Sequence, residues 1–322
     1  MKETLIKLLE ENEGEFVSGE HISRLLGCSR TAIWKHIDTL RKNGYEVESA
    51  PRKGYRLIKR GDDIQPHDIK LNLKTDVFGQ EQTYYPSIHS TQKVAQQLQQ
   101  KGVKEGHLVV ANEQTDGKGR MSREWYSPAN TSVSMSLLLR PNVSPQKTPQ
   151  LTLLTAVAIV RAIKRVTDVT AQIKWPNDVL INGRKLVGIL TEIQSEPDVV
   201  HSVIIGIGIN VNQTAEDIPP HLQEKSTSLL LESKKYVQRA ELIAEVLNEL
   251  EVLYKLYMND GFEAIKLMWE THSISIGTYL TARTPTKNIY GFAKGITNEG
   301  CLLIEDESGE VHQIYSADIE NH

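Results

Sequence analysis

The hydrophobic pattern changes its period twice along these 322 residues, and a chain that does so divides into more than one core. Leu5, Leu8 and Leu9 mark a helix over about Lys2–Glu11, which Asn12–Gly14 breaks. Ile22, Leu25 and Leu26 mark a short second helix. Ile33, Ile37 and Leu40 mark a third, running to about Asn43. Ser18 and Ser29 are placed to cap these two helices, Gly27-Cys28 makes the turn between them, and Gly44 ends the third. The period then drops to two. Tyr45–Glu48 and Gly54–Leu57 alternate around Ser49–Lys53, which predicts a hairpin.

Helix-turn-helix followed by a hairpin is the plan of a winged DNA-binding domain. The outer face of the third helix shows Arg30, Thr31, Lys35, His36, Arg41 and Lys42, and the hairpin tip carries Arg52 and Lys53. A helix of this kind enters the major groove while cations on the wing meet phosphates. Residues 1–60 hold 12 basic and 9 acidic side chains, a net +3; the other 262 hold 25 and 32, a net −7. A basic head on an acidic body meets a polyanion head first. A small helical domain with solvated cations would share this composition, but the turn, the cationic face and the basic tip coincide. Arg30, Thr31, Lys35, His36, Arg52 and Lys53 are the candidate DNA-binding residues.

Lys59–Asp63 with Pro66 reads as a linker, and the chain then alternates strands and helices to about residue 270. His107–Glu113, Thr131–Leu139, Ile173–Trp175 and His201–Val211 are expected strands, and Val179–Ile181 with Lys185–Ile193 a hairpin across Asn182-Gly183. Thr148–Val166 and Arg239–Met258 are expected long helices. The last fifty residues carry short strands at Tyr279–Arg283, Tyr290–Thr297, Cys301–Glu305 and His312–Tyr315, which suits a small barrel. The expected fold class is α+β in three domains: a winged head (1–62), a mixed α/β body (66–270) and a terminal β-barrel (271–322). No apolar run reaches the roughly 18 residues of a membrane span. The opening residues lack the apolar stretch of a secretory leader. Cys28 and Cys301 have no metal-ligand spacing and predict packing roles in a reducing cytoplasm.

Chemistry concentrates between Ser90 and Asn212. Gly117-Lys118-Gly119-Arg120 and Arg123, between a strand and Trp125, combine permissive backbone, three cations and an aromatic surface. A flexible basic loop could hold the same residues, but the concentration favours an anionic ligand. Lys118 is followed by Gly119 rather than Ser or Thr, so this is not a phosphate-binding P-loop; Gly206-Ile207-Gly208 lacks the third glycine of a dinucleotide fingerprint. Those two glycines could simply relieve crowding in a packed strand. Lys174-Trp175-Pro176-Asn177-Asp178 turns after a strand and offers a ligand wall. Ser90-Thr91-Gln92 opens a helix, where free amides suit a polar head group.

In this order, with Gln114, Lys185-x-x-Gly188-Ile189-Leu190 and Gly206-Ile207-Gly208-Ile209-Asn210, the segments resemble those of the bacterial bifunctional biotin–protein ligases that double as biotin-operon repressors. The resemblance spans essentially the whole chain and implies a biotin/lipoate-ligase body with an SH3-like C-terminal barrel. It implies that biotin and Mg-ATP form biotinyl-5′-AMP, whose acyl group passes to a lysine of a biotin carboxyl carrier protein. It implies biotin contacts from Ser90, Thr91, Gln92, Gln114, Gly117, Lys118, Gly119, Arg120, Lys185 and Gly188. It implies nucleotide contacts from Arg123, Trp125, Lys174, Asn177 and Asn210, magnesium at Asp178, and charge stabilisation by Lys185 and Arg120. It further implies a ligand-promoted homodimer on operator DNA. Two departures stand out. Lys118 replaces a common arginine, and no arginine lies around Gln313–Ala317 to reach ATP from the barrel. A biotin sensor without catalysis, a lipoate ligase, and a ligase whose head has lost its operator are the competing readings.

Overall fold

The computed structural model describes residues 2–12, 14–42, 45–59 and 62–321. Three helices, α1 (Lys2–Glu11), α2 (Gly19–Leu26) and α3 (Arg30–Lys42), pack with the hairpin β1 (Glu46–Ala50) and β2 (Gly54–Lys59). Their core joins Leu5, Leu9, Ile22, Ile33, Ile37 and Leu40 to Val47 and Leu57. Ser18 caps α2 through the His21 amide, and Gly27 ends it with left-handed backbone at φ 60°. The Ser29 hydroxyl accepts from the Ala32 amide. Leu25, expected inside, is exposed because Ile22 and Leu26 already cover that side of the short helix. Gly44 and the linker residues Arg60-Gly61 lie outside the described residues.

The body is a seven-stranded sheet in the order β3-β4-β5-β9-β8-β7-β6. Its strands are β3 (Gln82–Tyr85), β4 (Leu108–Ala111), β5 (Ser132–Leu139), β6 (Gln172–Lys174), β7 (Asp178–Ile181), β8 (Arg184–Ser195) and β9 (Val200–Asn210). β3 and β4 run parallel; every other neighbouring pair is antiparallel. Residues alternate between faces. Met135, Leu137 and Leu139 meet α6 (Thr148–Thr167) and α8 (Arg239–Asp260), whereas Leu138 meets α5 (Thr91–Gln100) on the other side. α6 is buried almost all round rather than along one stripe, because α8, α9 (Glu263–His272) and the C-terminal unit enclose it. Short helices α4 (Pro66–Lys70) and α7 (Leu229–Ser233) complete the body.

The last unit is a five-stranded antiparallel sheet, order β13-β12-β11-β10-β14, of β10 (Tyr279–Arg283), β11 (Asn288–Ile296), β12 (Leu302–Glu305), β13 (Val311–Ile314) and β14 (Asp318–Asn321). Its apolar residues join the core of the body. Trp175 ties the two together: its indole N–H donates to the Gly300 carbonyl (3.1 Å) and its amide to Ser275 Oγ (3.1 Å). Buried in this way, Trp175 serves the core and still borders, with Lys174, the cavity described below. Cys301 is buried and Cys28 packs against the head core, as expected of packing residues. Among the described residues, no helix is long and apolar enough to cross a membrane.

Candidate active site

A cavity of about 310 Å³ opens over the centre of the sheet, where β5, β9 and β8 run side by side. Its floor is smooth because glycines face each other across strands: Gly188 pairs with Gly208, and Gly206 with Leu190. This smoothness is required. A Cβ on Gly208 would lie 2.4 Å from two atoms of the Trp125 indole, and one on Gly188 3.0 Å from the same ring. A Cβ on Gly206 would lie 2.7 Å from Gln92 Oε1. The glycines let one aromatic ring and one amide lie flat on the sheet. They relieve crowding, as the plainer explanation has it, against the ring and amide laid on this face of the sheet.

A hydroxyl–amide network builds the end wall at the start of α5. Gln114 Oε1 accepts from the Thr91 amide (2.8 Å) and hydroxyl (3.0 Å). Ser136 Oγ lies 2.9 Å from both Thr91 Oγ1 and Gln92 Oε1, and Gln92 Nε2 donates to the Ile204 carbonyl (3.1 Å). Thr91, Gln92 and Ser136 are buried, Gln114 is half-buried, and all are held by one another, so the wall is built before a ligand arrives.

Cations gather on the opposite rim. The segment Gly117–Trp125 folds back on itself: Gly119 N–H donates to the Arg123 carbonyl (2.7 Å), and Trp125 N–H to the Gly117 carbonyl (2.9 Å). Met121 and Ser122 at its tip both adopt left-handed backbone, φ 55° and 58°. Arg120 leaves this loop to donate to Asn177 Oδ1 (3.1 Å) and Ser316 Oγ (2.6 Å). Burial lowers its pKa, against the pull of Asp318 and Asp178, which favours the charged form. Arg123 pairs with Asp318. Lys185, half-buried at the start of β8, places its ammonium 2.6 Å from Asp178 and 5.6 Å from the centre of the Trp125 ring. Lys118 turns to Asp116 at 2.7 Å; that hydrogen bond and charge raise the lysine pKa and lower the carboxyl's.

The floor and the α5 wall are neutral, the rim carries Lys185, Arg120 and Arg123 beside Asp178 and Asp318, and the whole suits an apolar molecule with an anionic end. Residues 84–210 match the biotin/lipoate A/B protein ligase family, residues 2–56 an HTH domain, and residues 280–320 the biotin protein ligase C terminal domain. The bifunctional ligase/repressor BirA of Bacillus subtilis is 52% identical over 320 residues, covering 99% of this chain and 98% of that protein. The chain belongs to the family of bifunctional biotin–protein ligases and repressors. BirA of Escherichia coli is 30% identical over 308 residues, 94% of this chain and 92% of its own length. A solved biotin protein ligase from Aquifex aeolicus, in complex with biotin and ATP, superposes with a TM-score of 0.65 at 28% identity, covering 76% of this chain and 99% of that one. This family member thus combines a biotin-ligase domain with an HTH repressor domain.

The residues expected at the site come together with one exception. Ser90, Thr91, Gln92, Gln114, Lys118, Gly119, Arg120, Arg123, Trp125, Lys174, Asn177, Asp178, Lys185, Gly188 and Asn210 all line the cavity. Gly117 does not; it is buried behind the wall, where a Cβ would meet the Trp125 carbonyl at 2.6 Å. The Asn210 amide is engaged with its neighbours, donating to the Thr227 carbonyl (3.0 Å) and accepting from Gln213 (3.2 Å). Two walls were not foreseen. The segment 211–228 contributes Ile218, Pro219 and Leu222, and the C-terminal unit contributes Ala317, Asp318 and Ile319. For the first a signal existed, since a segment of that length without a strand or long helix is often a binding loop. In the head, Arg30, Thr31, Lys35, Arg52 and Lys53 are exposed and His36 is half-buried. Arg41 instead donates to the Val47 carbonyl (2.7 Å). An exposed aromatic, Trp34, stands among the α3 cations and was not singled out.

Proposed function

We propose that this protein condenses biotin with ATP to biotinyl-5′-AMP and pyrophosphate, then biotinylates a carrier-domain lysine in the cytoplasm. The observation that carries this reading is the pairing of a neutral, glycine-floored cavity with Lys185 and Arg120 at one rim. In the first step a biotin carboxylate oxygen bonds to the α-phosphorus while the bond to pyrophosphate breaks. Two anions must approach, and preorganised cations offset their repulsion. In the second, the lysine nitrogen bonds to the acyl carbon, AMP leaves, and the amine gives up its proton. Lys185 remains unmodified throughout.

Ser90, Thr91, Gln92 and Gln114 supply donors and acceptors for the polar end of biotin; Lys118, Gly119 and Gly188 bound its path, with Gly117 holding the loop from behind. A Cβ on Gly119 would meet only the Arg123 carbonyl at 3.7 Å. Packing therefore leaves room for a side chain there, and close approach of a ligand is the reason for glycine. Arg123, Trp125, Lys174, Asn177 and Asn210 border the nucleotide. Of the carboxylates at the cavity, Asp178 lies nearest Lys185. One carboxylate fits a magnesium ion that arrives with phosphates, since such ions take most of their oxygens from substrate and water. Magnesium there would offset phosphate charge, with Asp178 shared between it and Lys185.

The units 1–62, 66–270 and 271–322 are read as three domains, and the first as an operator reader. Arg30, Thr31, Lys35 and His36 face the major groove while Arg52 and Lys53 meet phosphates. Adenylate occupancy promotes a homodimer that places two heads on a two-fold operator. Incubating the protein with ATP, magnesium and a carrier domain of acetyl-CoA or pyruvate carboxylase, with either biotin or lipoate, tests the catalytic reading. Biotin-dependent AMP release and carrier labelling are expected. Lipoate transfer, or adenylate-free binding of biotin alone, would overturn it.

A further inference from the structure

Among the described residues, contacts that the adenylation chemistry does not use fasten the winged head and its linker to the body. The buried Tyr45 hydroxyl donates to Asp68 Oδ1 (2.9 Å) in α4. The second fastening is Asp62, at the end of the linker. Its Oδ1 accepts from the Arg239 amide (2.8 Å), and its Oδ2 from Arg239 Nε (2.7 Å), Tyr236 Oη (2.9 Å) and Asn212 Nδ2 (3.2 Å). The Asp62 carbonyl accepts from Arg239 Nη2 (2.7 Å). Arg239 is 1% exposed and the Asp62 side chain is largely buried.

The partners of Asp62 lie at the roots of both ligand loops. Arg239 Nη1 also donates to Asn112 Oδ1 and the Ser132 carbonyl, both at 3.0 Å. Those residues bracket the segment that carries Gly117–Trp125. Asn212 begins the other loop, next to Gln213, which lines the cavity and donates to Asn210. One carboxylate in the linker thus touches the bases of two cavity walls and the tether of the head.

We propose that Asp62 is a positioning residue that couples the adenylate site to the DNA-binding head. The proposal rests on the ligand-dependent repressor reading above. A ligand that shifts either loop shifts the seat of the linker carboxylate, and the head with it. Linkage makes the effect reciprocal: operator DNA tightens adenylate binding by the factor by which adenylate tightens DNA binding.

The test is the ratio of operator affinities without and with biotin and ATP, at fixed salt, for full-length wild-type protein and Asp62→Asn. The duplex is one selected by the wild-type protein from a random-sequence pool. Couplings of this kind are typically about 5- to 150-fold. Asp62→Asn is expected to cut the ratio at least fivefold, and to cut by the same factor the slowing of adenylate release by operator DNA. Carrier biotinylation at saturating substrates should change less than threefold. A merely structural role would lower the thermal midpoint and leave both ratios alone. Should Asp62→Asn fail to fold, Tyr236→Phe, which removes the hydroxyl that donates to Asp62 from an exposed side chain, should still lower the ratio about twofold. An unchanged ratio in either folded variant, where the wild type shows one, overturns the inference. A wild-type ratio of one instead overturns the ligand-dependent repressor reading.

Discussion

Gly208→Ala isolates the floor of the cavity from the fold beneath it. The new methyl carbon would sit 2.4 Å from Cε2 and Nε1 of Trp125 and 2.8 Å from Cζ2. Carbon atoms rest at about 3.5–4.0 Å, so the ring must rise by about 1 Å or more. The sheet cannot yield instead, because Gly208 is laddered to Gly188 on one side and Ser134 on the other. The ring can yield. Among the described residues its Nε1 has no hydrogen-bond partner, and its amide is held at the loop through the Gly117 carbonyl. Overpacking commonly costs about 1–3 kcal/mol, and here most of it should fall on the ligand-bound state. A loss of about 1.4–3 kcal/mol in binding is a tenfold to hundredfold rise in KM. The assay is biotin-dependent exchange of labelled pyrophosphate into ATP, with each substrate varied, beside thermal unfolding. The midpoint should move little while KM for biotin or ATP rises at least tenfold. A folded variant with wild-type KM values for both would refute the argument that Trp125 on bare sheet forms the ligand surface.

Lys185→Ala should slow pyrophosphate exchange at least tenfold, since removing one preorganised donor from a developing charge costs about 3 kcal/mol; near-normal exchange in folded protein would sink that role. Ser316→Ala removes one of the two side-chain hydrogen bonds to Arg120 and should raise KM for ATP severalfold without lowering the unfolding midpoint by more than a few degrees. Arg52→Ala with Lys53→Ala should leave exchange intact and flatten the slope of log affinity for DNA against log salt by about 2, close to one unit per phosphate contact. Burial pushes the Glu251 carboxyl up, but Lys255 and the amides of Asp76, Val77 and Phe78 outweigh it and hold it below the ordinary range. A carboxyl depressed in this way stabilises the fold above its unfolded pKa, and the contribution is lost as pH falls through the folded value. Glu251→Gln should therefore lower the unfolding midpoint most at neutral pH, and the gap from wild type should narrow below about pH 4. A gap that widened in acid would contradict the assignment.

What could be read in the sequence was whatever local chemistry determines. Asn182-Gly183 adopts the two left-handed residues its hairpin needs, φ 51° and 76°, whatever packs around it. Ser18 and Gly27 bound α2 by bonds within a few residues. The ligand segments were legible because they crowd charge, glycine and aromatic residues into short stretches. The missed pieces depend on distant partners. α9 buries chiefly Ile265 and Trp269, too few positions to declare a period. Strand β14 forms only by pairing with β10, nearly forty residues earlier. Ile218, Leu222 and Ile319 look like ordinary apolar residues until the fold sets them around the cavity.

The absent C-terminal arginine shows how composition can mislead about a shared boundary. No arginine around Gln313–Ala317 reaches ATP from the last unit. The structure has the charge on the other side of the seam. Arg120 and Arg123 come from the loop 117–125, and the C-terminal unit answers with Ser316 and Asp318. The two units therefore meet through donors on the loop and acceptors on the C-terminal unit. Arg120 also holds Asn177, whose carbonyl accepts from the Ile189 amide beside the glycine floor. An anion drawn to Arg120 meets a guanidinium that Ser316 and Asn177 already hold in place. The C-terminal unit then acts on the reaction through the position of the loop cations, while supplying none of its own.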